Sequence, residues 1–121
     1  MKFLNQVDLL LEEVSTYKPI VLPYSLNALE PIVNRQTTDF HYNDHYKGYV
    51  KKLNTAMSSK RKPALVELVK EISKYNDHIK DNAGGAYNHQ LFFNMMKPGG
   101  SDFNGEIKDR ILKRFGTFSK F

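Results

Sequence analysis

Cysteine is missing from the chain. Its absence excludes disulfides, zinc fingers and thiol catalysis, and it fits a reducing compartment. It leaves His, Asp and Glu as the side chains able to hold a metal. Long apolar runs are missing as well, and none approaches the length needed to span a bilayer. The N-terminal apolar stretch carries Asp8, Glu12 and Glu13, which break the core that a signal peptide requires. These absences predict a cytoplasmic or otherwise intracellular protein with no signal peptide and no membrane partner. No convincing strand pattern and no internal repeat occurs. Aromatic residues do not interleave the basic cluster Lys60-Arg61-Lys62, so it reads as solvated surface and nucleic acid is not an expected partner.

What is present suffices for one domain. The chain has 121 residues, 40% of them hydrophobic and 12% aromatic, enough to build a core. The net charge of +5 favours anionic partners, including a small anion steered by the field.

Apolar residues recur at helical spacing through Phe3, Leu4, Val7, Leu10, Leu11 and Val14, which predicts an amphipathic helix over 2–16. Lys18-Pro19 breaks it. The segment 20–31 contains Pro23 and Pro31 and reads as extended with turns. Asn34 or Thr37 is placed to cap a long helix running to about Met57. Gly48 inside that helix costs about 1 kcal/mol against alanine, so a close approach by another group is expected there. Pro63 suits the first residue of the next helix, whose stripe is Leu65, Leu68, Val69 and Ile72. Asn76-Asp77 marks a break before a helix over about 79–96, stopped by Lys97-Pro98-Gly99-Gly100. A last helix covers 106–115. The prediction is an all-α fold in which two long helices form an antiparallel hairpin. Phe115, Phe118 and Phe121, spaced by three, form a stripe that calls for cover by another segment or chain.

Four histidines occur, His41, His45, His78 and His89. His78 lies near a break and reads as structural or exposed. His41, His45 and Tyr49 are spaced by four, which stacks them on one helical face. His41 and His45 clamp one metal together if both rings point at it. Alternatively, His41 shares a metal with His89 from the facing helix, and His45 and Tyr49 support that site from outside.

Several motifs carry a family resemblance. Leu22-Pro23-Tyr24-Ser25-Leu26-Asn27-Ala28-Leu29-Glu30-Pro31 resembles the N-terminal LPY-x-x-x-ALEP segment of iron/manganese superoxide dismutases. Phe40-His41-Tyr42-x-x-His45-x-x-x-Tyr49-Val50-x-x-Leu53-Asn54 resembles their first long helix. Asn82-Ala83-Gly84-Gly85-x-x-Asn88-His89-x-Leu91-Phe92-Phe93 resembles their second ligand helix. The run from Gly105 to Phe115-Gly116-Thr117-Phe118 resembles the opening of their second domain. The resemblance spans about 21–121 and divides the chain into an N-terminal helical extension over 1–19, the hairpin over 20–100, and an incomplete start of a second domain over 101–121.

The resemblance implies that His41 and His89 are metal ligands and that His45 and Tyr49 are the gateway pair of the catalytic site. Phe92, Phe93 and Gly85 would surround the metal. Phe93 stands where the family usually has Trp, and Tyr46 where many members have a second His. Gly85 stands where iron-type enzymes often carry Gln, which leans toward Mn over Fe. The family's remaining ligands, an Asp and a His in a D-x-W-E-H motif, have no counterpart in this sequence, and no histidine follows His89. Two functions are therefore expected. In one, the chain contributes two His ligands to a superoxide-dismutating site, completed by another segment or chain within an oligomer or larger assembly. In the other, it is an inactive structural or interaction module whose degenerate site holds no metal.

Overall fold

The structure is a computed structural model that describes residues 13–59 and 61–121. Asn34 begins the first long helix. Its backbone is extended, and its side chain accepts a hydrogen bond from the Thr37 amide at 2.8 Å, which satisfies one of the free amides of the first turn. The helix, α1, runs in three parts: an α-helical start over Arg35–Asp39, a π-helical segment over Phe40–Tyr46, and an α-helical run over Lys47–Ala56. Helix α2 covers Leu65–Lys70 and leads through a 3-10 turn at Ile72–Lys74. Asn76 caps α3, Asp77–Met95, by accepting from the Ile79 amide at 3.0 Å. Helix α4 covers Gly105–Phe115, followed by a 3-10 turn at Phe118–Lys120.

Helices α1 and α3 pack along their lengths and α2 packs against α3. The pairing is antiparallel: His41 meets Phe92 and Phe93, whereas Tyr49 meets Gly85 and His89. The core between them is built from Tyr46, Val50 and Leu53 of α1, Leu68 of α2, and Ala83, Ala86 and Phe93 of α3. Small residues on α3 opposite large ones on α1 let the helices approach closely. The described residues are all-α, as expected, and none of their helices is long and apolar enough to cross a membrane.

Several local expectations change. Most of the helix predicted over 2–16 lies outside the described residues. Its end is not helical: Val14 forms an isolated antiparallel bridge with Lys62, with amide–carbonyl bonds of 2.7 and 3.0 Å. Pro63 precedes α2 without belonging to it, because Ala64 is the cap. Lys62 is not solvated surface. It is only 5% exposed, and its Nζ donates to the Ser15 carbonyl at 2.6 Å. The bridge draws it inward, and a backbone oxygen replaces its water. No group lies within 4 Å of where a Cβ on Gly48 would sit, so the close approach expected there is absent.

The stretch after Val14 crosses the hairpin as a strap. The Asn54 side chain accepts from the Tyr17 amide at 2.8 Å and donates to the Tyr17 carbonyl at 2.8 Å, imitating a neighbouring strand. Tyr42 Oη donates to the Ile20 carbonyl at 2.6 Å, and the Ile20 amide donates to Tyr46 Oη at 2.8 Å. Tyr24 Oη donates to the Phe93 carbonyl at 3.0 Å near the end of α3.

Tyr17 is 7% exposed, and its hydroxyl donates to the Pro63 carbonyl at 3.0 Å. Burial, with a smaller contribution from Tyr75, pushes its phenol up to about 12. The folded state thus keeps a proton that the unfolded chain releases near 10. Stability is full below pH 10 and falls as pH rises toward 12, by roughly 2–3 kcal/mol from this group. Denaturant titrations at pH 9 and pH 11.5 are expected to show this fall, and Tyr17→Phe is expected to show a smaller one. Equal falls in the two proteins would remove Tyr17 as the cause.

Candidate metal centre

The π-helical segment carries both His41 and His45. Its wider turn alters the side-chain register that four-residue spacing produces on an α-helix, and such segments recur at functional sites. His41 and His45 end up with ring centroids 6.2 Å apart, and His45 is exposed. His41 lies closer to His89 of α3, with centroids 4.8 Å apart and ring planes at 75°. The structure therefore brings together the pair from facing helices more closely than the pair on one helix.

His89 is oriented by its own helix. Its Nδ1 lies 2.7 Å from the Gly85 carbonyl, one turn back. A carbonyl only accepts, so Nδ1 carries the proton and the lone pair stands on Nε2. Burial, then the neighbouring imidazoles of His89 and His45, lower the pKa of His41 below 6.5. His41 is thus neutral at pH 7. Neutral imidazole is the form that binds metals, and it suits first-row ions.

Aromatic rings wall the pair. Phe92 and Phe93 stand 4.9 and 5.1 Å from His41, centroid to centroid. Phe93 is fully buried, while Phe92 is 40% exposed. Tyr49 stands 5.1 Å from His89, and Phe40 stands 5.0 Å from His45. His41 and His45 line one open depression with Gln36, Thr37 and Phe40. Tyr49 and His89 line another, which also holds Lys52, His78 and Lys80. His45 and Tyr49 thus flank the pair from separate sides.

As donors, His41 and His89 fit a metal: they are adjacent, burial favours the neutral form of His41, and His89 is oriented by a hydrogen bond. Among the described residues no group of three or more His, Asp or Glu converges, so the pair offers two donors and no third joins it. His78 is exposed and lies about three turns before His89 on α3, at the far end of the same depression, with its carbonyl accepting from Asn82 at 2.8 Å.

The close approach expected at Gly48 occurs at Gly85 instead. A Cβ built on Gly85 would lie 2.5 Å from Cγ of Tyr49. That atom sits at the base of the ring, so it cannot swing away cheaply. Gly85→Ala is expected to cost about 1–3 kcal/mol by overpacking and to displace the Tyr49 ring. Gly48→Ala is expected to be neutral or stabilising, because the space is open and alanine favours the helix. Thermal melts of the two variants check this, and similar melting points would refute it.

Sequence reading missed the part played by Tyr42 and Tyr46 as anchors of the strap. Their four-residue spacing was visible, but the backbone that they hold is distant in sequence.

Residues 16–97 match the family model of the iron/manganese superoxide dismutases, alpha-hairpin domain. The chain is 41% identical over 103 residues to a superoxide dismutase [Fe] of Plasmodium falciparum, covering 83% of this chain and 50% of that protein. It is 39% identical over 102 residues to a superoxide dismutase [Fe] of Coxiella burnetii, covering 83% and 52%. It is 33% identical over 115 residues to a superoxide dismutase [Mn] of Acinetobacter baylyi, covering 89% and 50%. The chain spans about half the length of the curated relatives it matches. With that match over most of its length, and with a helical hairpin that brings His41 and His89 together, the chain belongs to the iron/manganese superoxide dismutase family, as its alpha-hairpin domain.

Proposed function

We propose that this chain supplies two histidine ligands, His41 and His89, to a superoxide-dismutating metal centre completed by further ligands from another segment or chain. The observation that carries this reading is the oriented pair. The His89 Nδ1–H is held by the Gly85 carbonyl, and the ring lies 4.8 Å from His41. Mn or Fe is the proposed metal, and the bare Gly85 supports Mn. Such a metal supplies one-electron exchange with superoxide when bound.

The chain's own residues do the rest. His41 and the Nε2 of His89 present lone pairs. Phe92 and Phe93 exclude water from one side of the pair. Dismutation consumes two protons for each pair of superoxide ions, and the exposed His45 ring and the Tyr49 hydroxyl are the proposed groups that hold and pass protons at the open sides. Lys52, which lines the depression beside His89 with Asp81 and with a Lys80 paired to Asp77 at 3.2 Å, favours arrival of a small anion.

Residues 101–121 are proposed to open a second domain beyond the hairpin of 20–100, with 1–19 as an extension. Ile107, Phe118 and Phe121 are 67%, 56% and 67% exposed, which supports cover by another segment or chain in an oligomer or larger assembly. The same exposed face favours a second reading, an inactive interaction module of this family. Elemental analysis and superoxide consumption, measured on the chain together with its completing partner, separate the two. Near-stoichiometric Mn or Fe with consumption is expected. A metal-free, inactive assembly would leave only the module.

A further inference from the structure

Tyr46 is the largest fully buried side chain on α1, 1% exposed, and the proposed function does not use it. Its ring lies parallel to the His89 imidazole, with planes 8° apart and centroids at 6.3 Å. The other rings around His89 are tilted: His41 by 75°, Tyr49 by 42° and Phe93 by 47°. Tyr46 thus forms the flat wall along which the imidazole lies, within the range where aromatic pairs interact. A wall is useful only if it is fixed. At its far end the phenol oxygen accepts the Ile20 amide at 2.8 Å, while Tyr42 holds the carbonyl of the same residue at 2.6 Å. Ile20 belongs to the strap, which Asn54 grips at Tyr17. The ring is therefore held by a chain segment remote in sequence from both histidines.

We propose that Tyr46 is a positioning residue for His89, and that the strap, by gripping its phenol, sets the imidazole plane that the Gly85 carbonyl alone leaves free to turn. One hydrogen bond at Nδ1 fixes the tautomer and one point of the ring. A parallel wall fixes the plane. This proposal rests on the reading of His89 as a metal ligand only for its consequence in metal binding, since the positioning itself exists in the metal-free protein.

The test uses two readouts on the full chain. In the metal-free protein, NMR measures the exchange rate of the His89 Nδ1 proton. Tyr46→Phe keeps the ring and removes the acceptor for Ile20. Ile20→Pro removes the same bond from the strap side and leaves the tyrosine intact, so it decides the matter if the first variant fails to fold. Each is expected to speed exchange about tenfold. Tyr17→Phe, which loses a strap hydrogen bond away from the histidines, is expected to stay within twofold. Rates unchanged by both Tyr46→Phe and Ile20→Pro, or raised equally by Tyr17→Phe, overturn the positioning. The second readout is paramagnetic broadening of His89 ring resonances by Mn2+ alone. Its midpoint is expected to rise about tenfold in Tyr46→Phe, the low end of what supporting residues cost a metal site. A wild-type chain whose His89 is not broadened overturns Mn2+ binding by this pair without further ligands, and the exchange rates still decide the role of Tyr46.

Discussion

Phe93→Ala is expected to lower stability by about 3–5 kcal/mol, the range for emptying a buried aromatic site. Phe93 is fully buried where the two long helices meet. Its ring stands 5.1 Å from His41, 5.6 Å from Tyr42, 5.8 Å from Tyr46, 5.5 Å from Phe92 and 6.4 Å from His89. These neighbours come from both helices, and Tyr42 and Tyr46 are anchored to the strap, so collapse into the void is opposed from several sides. Domains of this size have about 5–15 kcal/mol in total, so the variant should be partly unfolded near body temperature. Phe121→Ala provides the contrast. That side chain is 67% exposed, and its removal is expected to stay within about 0.5 kcal/mol. Denaturation followed by circular dichroism measures both, and equal midpoints would contradict the packing described.

His89→Ala is expected to lower Mn or Fe occupancy of the completed assembly by about 100-fold or more, since even supporting residues of metal sites cost 10–100-fold. His41→Ala should do the same, because the two imidazoles are the proposed donors. His78→Ala is expected to leave occupancy unchanged, as that ring is exposed and about three helical turns from His89. The effect on folding should be small in comparison, because the His41 and His89 rings are only half-buried. Metal analysis beside a thermal melt separates the two effects. Occupancy retained in both His41→Ala and His89→Ala would refute the ligand assignment.

The hairpin was legible because its signals are local. Asn34 and Asn76 cap the helices that they were placed to cap, or mark the break before them, and the stop after Met95 falls where Lys97-Pro98-Gly99-Gly100 requires it. Each depends on residues within one or two turns. The facing pair His41 and His89 was legible through motifs and was one of two alternatives on spacing alone. The π-helical segment was not legible, because the four-residue spacing of His41, His45 and Tyr49 looks the same whichever helical turn carries it. The burial of Lys62 was not legible either. Three adjacent basic residues look alike until Val14 pairs with one of them and draws it under the strap.

The two glycines show the same division. Gly48 and Gly85 are alike as helix-interior glycines, and local propensity says only that each costs its helix stability. Which of them faces a partner ring was decided by how α1 and α3 meet, and it is Gly85, under Tyr49. The all-α class, the ends of the long helices and the family are readable from the residues alone, because capping, periodicity and motifs act over short stretches. That the Gly85 carbonyl meets His89, that the Tyr46 ring lies parallel to it, and that Ile20 holds Tyr46 follow from how the helices and the strap pack. The last two contacts join residues far apart in the chain, and the first matters only because α3 turns that ring toward His41. No local pattern records which distant atoms will meet.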